Sequence, residues 1–138
     1  MNIIFSTVFC GVAVYIIGEI LLKFVLEPLQ EYKKVIGKID NKLKYYANVI
    51  TNSGLPKDMV DEAVKVLRDI SCELEATYKQ ISFKHFFNKI YVIPKEKQVS
   101  DASKSLIYLA NSSGMIGKEV ENSEEIEKVR EKLNIPKI

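Results

Sequence analysis

LQEYKKVIGKIDNKLKYYANVI, residues 29–50, carries the pattern that decides the fold. Leu29, Tyr32, Ile36, Ile39, Leu43, Tyr46 and Ile50 follow one another in alternating steps of three and four, and the positions between are mostly Lys, Glu, Gln, Asn and Asp. A sustained 3.5-residue period marks a helix with one apolar seam, the pattern of coiled coils. Such a seam needs cover. Either it joins identical chains in a parallel bundle, or it folds back on its own chain as ordinary core, and the periodicity alone is compatible with both.

Upstream of the seam the chemistry changes. Residues 2–18 carry no charged side chain, and extension to Leu22 adds only Glu19. About 20 such residues are enough to cross a ~30 Å hydrocarbon core as a helix. A cleaved signal peptide would want a basic start and a small-x-small cleavage site. Here no Lys or Arg precedes Lys23 and no Ala-x-Ala follows. The organisation expected is a transmembrane anchor over 1–27, a juxtamembrane heptad helix over 28–52 and a helical domain over 53–138. Lys23, Lys33, Lys34, Lys38, Lys42 and Lys44 all follow the span. The positive-inside rule then predicts an outside N-terminus and a cytoplasmic domain.

Within the anchor the heptad register extends back through Val25, Leu22, Gly18, Tyr15, Gly11, Val8 and Ile4. Gly11 and Gly18 are the informative members, because small residues let transmembrane helices approach closely. Thr7 and Cys10 flank the same side. A lone span has no other membrane helix in its own chain, so the pattern predicts self-association. Glu19 and Lys23 are four residues apart and share a helix face. They read either as an ion pair at the headgroups, with the Lys stem snorkelling outward, or as polar groups facing a pore. Pro28, without an N–H, is the predicted hinge, and Glu27 before it is expected to leave helical geometry.

The rest of the chain reads as helical, with about five helices after the anchor, so the fold class expected is all-α. TNSGLP at 51–56 is a break. Val60, Ala63, Leu67, Ile70, Leu74 and Ile81 keep helical spacing, as do Val99, Ala102, Leu106 and Leu109, with Gly114 as a C-cap. Asn122 with Glu125 predicts the N-cap of a last helix. The formal net charge is only +2, but charge is segregated. Acids dominate residues 58–78. Lys79, Lys84, Lys89, Lys95, Lys97 and Lys104 dominate residues 79–104, interleaved with Phe83, His85, Phe86, Phe87 and Tyr91. Lysines mixed with aromatics hold phosphate backbones and stack bases, which makes Lys84, Phe86, Lys89, Lys95 and Lys97 candidate ligand-binding residues. A solvated basic face over a Phe core and docking to an anionic leaflet are the other two readings.

Catalytic chemistry is sparse. His85 is the single histidine, so no His-based metal cluster or triad is built within one chain. GMIGKE at 114–119 lacks the first glycine and the Ser/Thr of a phosphate loop. SKSL at 103–106 has no supporting base. The two cysteines, Cys10 and Cys72, form neither a disulfide framework nor a zinc signature. The expectation is a protein that is not an enzyme and uses no metal or cofactor.

LLKFVLEPLQEYKKVIGKI, NKLKYYANVITN, LRDISCELEATYKQISF and ASKSLIYLANS resemble blocks of a family of small bacterial single-span membrane proteins, and together they cover most of the chain. The chain is also similar to membrane effectors of nucleotide-signalling antiphage systems of the Hailong type. That resemblance implies a homo-oligomeric channel or membrane-disrupting protein in the bacterial inner membrane. It further implies a nucleotide or oligonucleotide ligand sensed by the cytoplasmic domain and a partner signalling enzyme. The alternative is a membrane-tethered adaptor that conducts nothing and recruits a cytoplasmic protein.

Overall fold

The computed structural model describes residues 2–136, and every regular element among them is helical. In chain order these are α1 (Asn2–Leu21), a π-helical turn (Leu22–Leu26), α2 (Glu27–Tyr45), α3 (Ala47–Thr51), α4 (Lys57–Gln80), α5 (Lys84–Lys89), α6 (Glu96–Ser112) and α7 (Glu119–Lys132).

From Ile3 to Tyr45 the chain is one helix of 43 residues, roughly 65 Å long at 1.5 Å per residue. Its two halves have opposite surroundings. None of the apolar window in the first half is buried, and Phe5, Phe9, Val14 and Tyr15 stand open to the outside. By length and composition this half is able to cross a membrane.

The second half is a wall of the core. Leu29, Tyr32, Val35, Ile39 and Leu43 of α2, then Tyr46 and Ile50, are buried, and Ile36 packs against the same cluster partly covered. The cover comes from within the chain. α4 runs back along α2, as the Tyr46–Glu62, Lys38–Glu73 and Tyr32–Tyr78 pairs show in succession. It contributes Ala63, Leu67, Ile70, Leu74 and Tyr78. α6 packs on the other side of α4 through Val99, Ala102, Leu106 and Leu109, and α7 closes the layer with Ile126, Val129 and Leu133. The seam of residues 29–50 is therefore intramolecular core.

Three local expectations are corrected. Glu27 does not leave the helix: its φ of −60° and ψ of −51° are α-helical, and Pro28 sits in the first turn of α2. The chain tolerates this proline by widening the turn before it. Glu27 N–H bonds to Leu22 O, five residues back rather than four, the local adjustment by which π turns absorb a disturbed ladder. That turn also breaks the shared register. One extra residue rotates the upstream helix by on the order of 100° relative to the downstream helix, so the Gly11–Gly18 stripe does not continue the Leu29–Tyr32 stripe. Asn122 is no cap. α7 starts at Glu119, after Lys118 rather than after Asn122, and Asn122 is buried inside it.

α6 ends as expected. Gly114 follows it at φ +75°, where only a residue without Cβ is unstrained, and an added Cβ would lie 3.2 Å from both Val60 methyl carbons. Gly114 thus lets the α6–α7 turn close down on the start of α4.

Candidate functional site

Because α4 antiparallels α2, its C-terminus returns to the end of the domain from which α1 leaves. Tyr78 lies edge-on to Tyr32, with ring centroids 5.6 Å apart, and Tyr32 is six residues past Leu26, about 9 Å along the helix axis. The basic aromatic segment 83–95 follows directly and is folded around Tyr78. Tyr78 hydroxyl donates to Pro94 O at 3.1 Å, and Lys84 Nζ lies 5.2 Å from the centre of the Tyr78 ring. The segment predicted as ligand-binding thus sits at the α1 end of the domain.

Its aromatics are not core. Phe87 packs partly against the core, whereas Phe83 and Phe86 are 68% and 60% exposed and Tyr91 88%. Ile90 and Val92 are also exposed. Phe83 and Tyr91 hold φ of 56° and 57°, a left-handed conformation that bulky residues rarely adopt. These two residues bracket α5 at its start and just after its end. Lys89, Lys95 and Lys97 are exposed and Lys84 half-buried. None of the four is ion-paired among the described residues. Lys95 N–H donates to Gln98 Oε1 at 2.9 Å at the start of α6, half a capping box, since a Lys side chain has no acceptor with which to complete it. Tyr91 and Lys95 line a cavity of about 450 Å³ together with Asn88 and Asn134.

The opposite end is acidic. Asp58, Asp61 and Glu62 open α4, and Glu119, Glu121 and Glu124 open α7. Glu121 accepts from Lys118 and from Tyr108, and the Lys118 contact leads in holding its carboxyl below the usual glutamate range. The Tyr46 phenol is pushed up to about 12, first by its hydrogen bond to Glu62.

In α1, Thr7 Oγ1 donates to Ile3 O at 2.9 Å, so its hydroxyl is spent on its own helix. A Cβ built at Gly11 or Gly18 would meet nothing within 4 Å. Glu19 is half-buried and Lys23 exposed, and the two are not ion-paired among the described residues.

One cluster was missed because its members are distant in sequence. Ser105, for which the sequence offers no supporting base, donates to Glu125 Oε1 at 2.5 Å and accepts from Lys132 Nζ at 2.9 Å. Burial pushes the Glu125 carboxyl up, but the hydrogen bonds from Ser105 and Lys128 outweigh it and the net shift is downward. The serine proton is directed at a carboxylate and the serine oxygen accepts from the lysine, so the arrangement joins α6 to α7 as a satisfied polar seam. Among the described residues no group of His, Cys, Asp or Glu is placed to hold a metal ion.

Comparison with known protein families, with curated proteins and with solved structures finds no match to this chain.

Proposed function

We propose that the chain is a single-span effector of the bacterial inner membrane that works as a homo-oligomer, its spans packed into a conducting or bilayer-disturbing assembly and its helical domain governing that assembly. The observation that carries this reading is the 43-residue helix, apolar and uncovered in its first half and core wall in its second. A rearrangement of the core moves α2, and α2 is continuous with the span. The open space beside Gly11 and Gly18 supports contact between spans, since nothing in their own chain demands a small residue there. A signal acts by preferring the domain arrangement of the open assembly. The trigger in this reading is the nucleotide or oligonucleotide that the resemblance implies.

The test is crosslinking of the full chain in membranes, paired with ion flux from liposomes before and after nucleotides are added. Oligomers are expected, with flux reduced by Glu19→Gln and by Gly11→Leu with Gly18→Leu. A chain that stays monomeric overturns the reading.

One observation favours the alternative of a non-conducting tethered adaptor. Met115, Ile116 and Val120 are exposed together at the end of the domain remote from α1, where a cytoplasmic partner would reach them. An adaptor leaves liposomes tight whatever its oligomeric state.

A further inference from the structure

We propose that the segment from Phe83 to Lys97 is a second, peripheral membrane contact: it lays Phe83, Phe86, Ile90 and Tyr91 into the interface of the leaflet that α1 enters, with its lysines on anionic headgroups. The proposal rests on α1 spanning the bilayer and is independent of oligomerisation and conduction.

Placement is the first argument. The segment wraps Tyr78, which touches Tyr32, and Tyr32 lies about 9 Å of helix rise beyond the apolar half of the long helix. That is within reach of the headgroup layer. Composition is the second. Four large apolar or aromatic side chains are exposed within nine residues, and aromatic rings with long aliphatic chains beside lysines are the residues that settle at membrane interfaces. Electrostatics is the third. Lys84, Lys89, Lys95 and Lys97 lack carboxylate partners among the described residues. Glu27, Glu31, Glu75 and Glu96 share this end, but Glu31 is engaged by Lys34 at 2.6 Å and Glu75 by Lys79 at 3.8 Å. The acids that open α4 and α7 point the other way along the domain. A bilayer carrying anionic lipid therefore meets the basic end of a polarised domain. With both α1 and this segment engaged, the domain is held at two points and cannot swivel freely on one helix.

The chain has no tryptophan, so a single indole at position 86 is a clean reporter. Full-length Phe86→Trp, with Met115→Trp as the remote control, is placed in nanodiscs of phosphatidylcholine with or without phosphatidylglycerol, and carbonate extraction from vesicles reports the span separately. In anionic discs the indole at 86 is expected to shift blue, to be quenched by lipids brominated in the acyl chains and to be shielded from iodide. The indole at 115 is expected to behave as in water. Replacing each lysine by Gln should weaken docking about fivefold. If the indole at 86 is as open to iodide and as blind to brominated lipid as that at 115, the proposal is overturned. Shielding by an added oligonucleotide without quenching by brominated lipid overturns it in favour of nucleic-acid binding. Equal quenching in neutral discs overturns the role of the lysines. Tyr91→Trp repeats the measurement should Phe86→Trp not match the wild-type thermal transition.

Discussion

The Tyr32 ring meets the Tyr78 ring edge-on, at 5.6 Å and 63°, and the two hydroxyls have opposite fates. That of Tyr78 donates to Pro94 O. That of Tyr32 is buried without a hydrogen-bond partner, and burial raises its pKa well above the usual phenol range. The two conservative substitutions should therefore separate. Tyr78→Phe removes a made hydrogen bond and strands a carbonyl, at a cost of about 1 kcal/mol. Tyr32→Phe removes an unmade one and should leave stability unchanged or slightly raised. Thermal unfolding of the two variants in the same detergent checks this, and equal losses would mean that Tyr32 has a partner.

Asn122 joins three helices at once. Its Nδ2 donates to Ile50 O at 2.7 Å and, more weakly, to Ser112 O, while its Oδ1 accepts from Ser112 Oγ at 2.6 Å. Asn122→Ala strands the buried Ile50 carbonyl, while Ser112 keeps Tyr108 O and Met115 N–H as partners, and should cost about 1 to 3 kcal/mol. Lys38→Ala, which breaks an exposed bridge to Glu73, should cost less than about 1 kcal/mol. Denaturant titration of both variants gives the ratio directly.

Asn122 also shows what sequence reasoning reached and what it did not. The helical faces were legible because Leu29, Ile39, Leu67, Leu74, Leu106 and Leu109 repeat at helical spacing and are all buried. Which surface covers residues 29–50 was not legible, because a heptad seam looks the same whether the next helix belongs to the same chain or another. Asn122 was misread because an Asn three residues before a Glu carries a cap signature, while its burial depends on Ile50 and Ser112, which are remote in sequence. The π turn before Pro28 was invisible for a related reason: a proline signals a disturbed ladder but not how the ladder is repaired. The basic aromatic segment was found from composition. Its exposure, and its place at the α1 end, came only from the antiparallel return of α4.

The polar seam between α6 and α7 sets an acid limit. In the folded chain Glu125 titrates below the ordinary glutamate value of 4.5, so folding favours its ionised form. The stability it contributes is complete above the unfolded value and is lost as pH falls through the folded one. Wild-type melting temperature should therefore decline as the pH drops below about 4.5. Glu125→Gln should be less stable at neutral pH, and its deficit should shrink in acid. A deficit independent of pH would assign the loss to packing rather than charge.

The two cysteines give a test of topology that needs no substitution. Both are exposed on the folded chain, but Cys10 lies in α1 and Cys72 on the outward side of α4. If α1 spans the bilayer, lipid covers Cys10, and a bulky, membrane-impermeant maleimide reaches Cys72 alone. In the proposed orientation, which follows the positive-inside rule, Cys72 is on the cytoplasmic side. Intact cells should thus be unlabelled, and inverted membrane vesicles should take up one label per chain. One label from outside the cell would reverse the orientation. Two labels from the vesicle exterior would mean that α1 lies outside the hydrocarbon, and both the effector reading and the interfacial docking of residues 83–97 would fall with it.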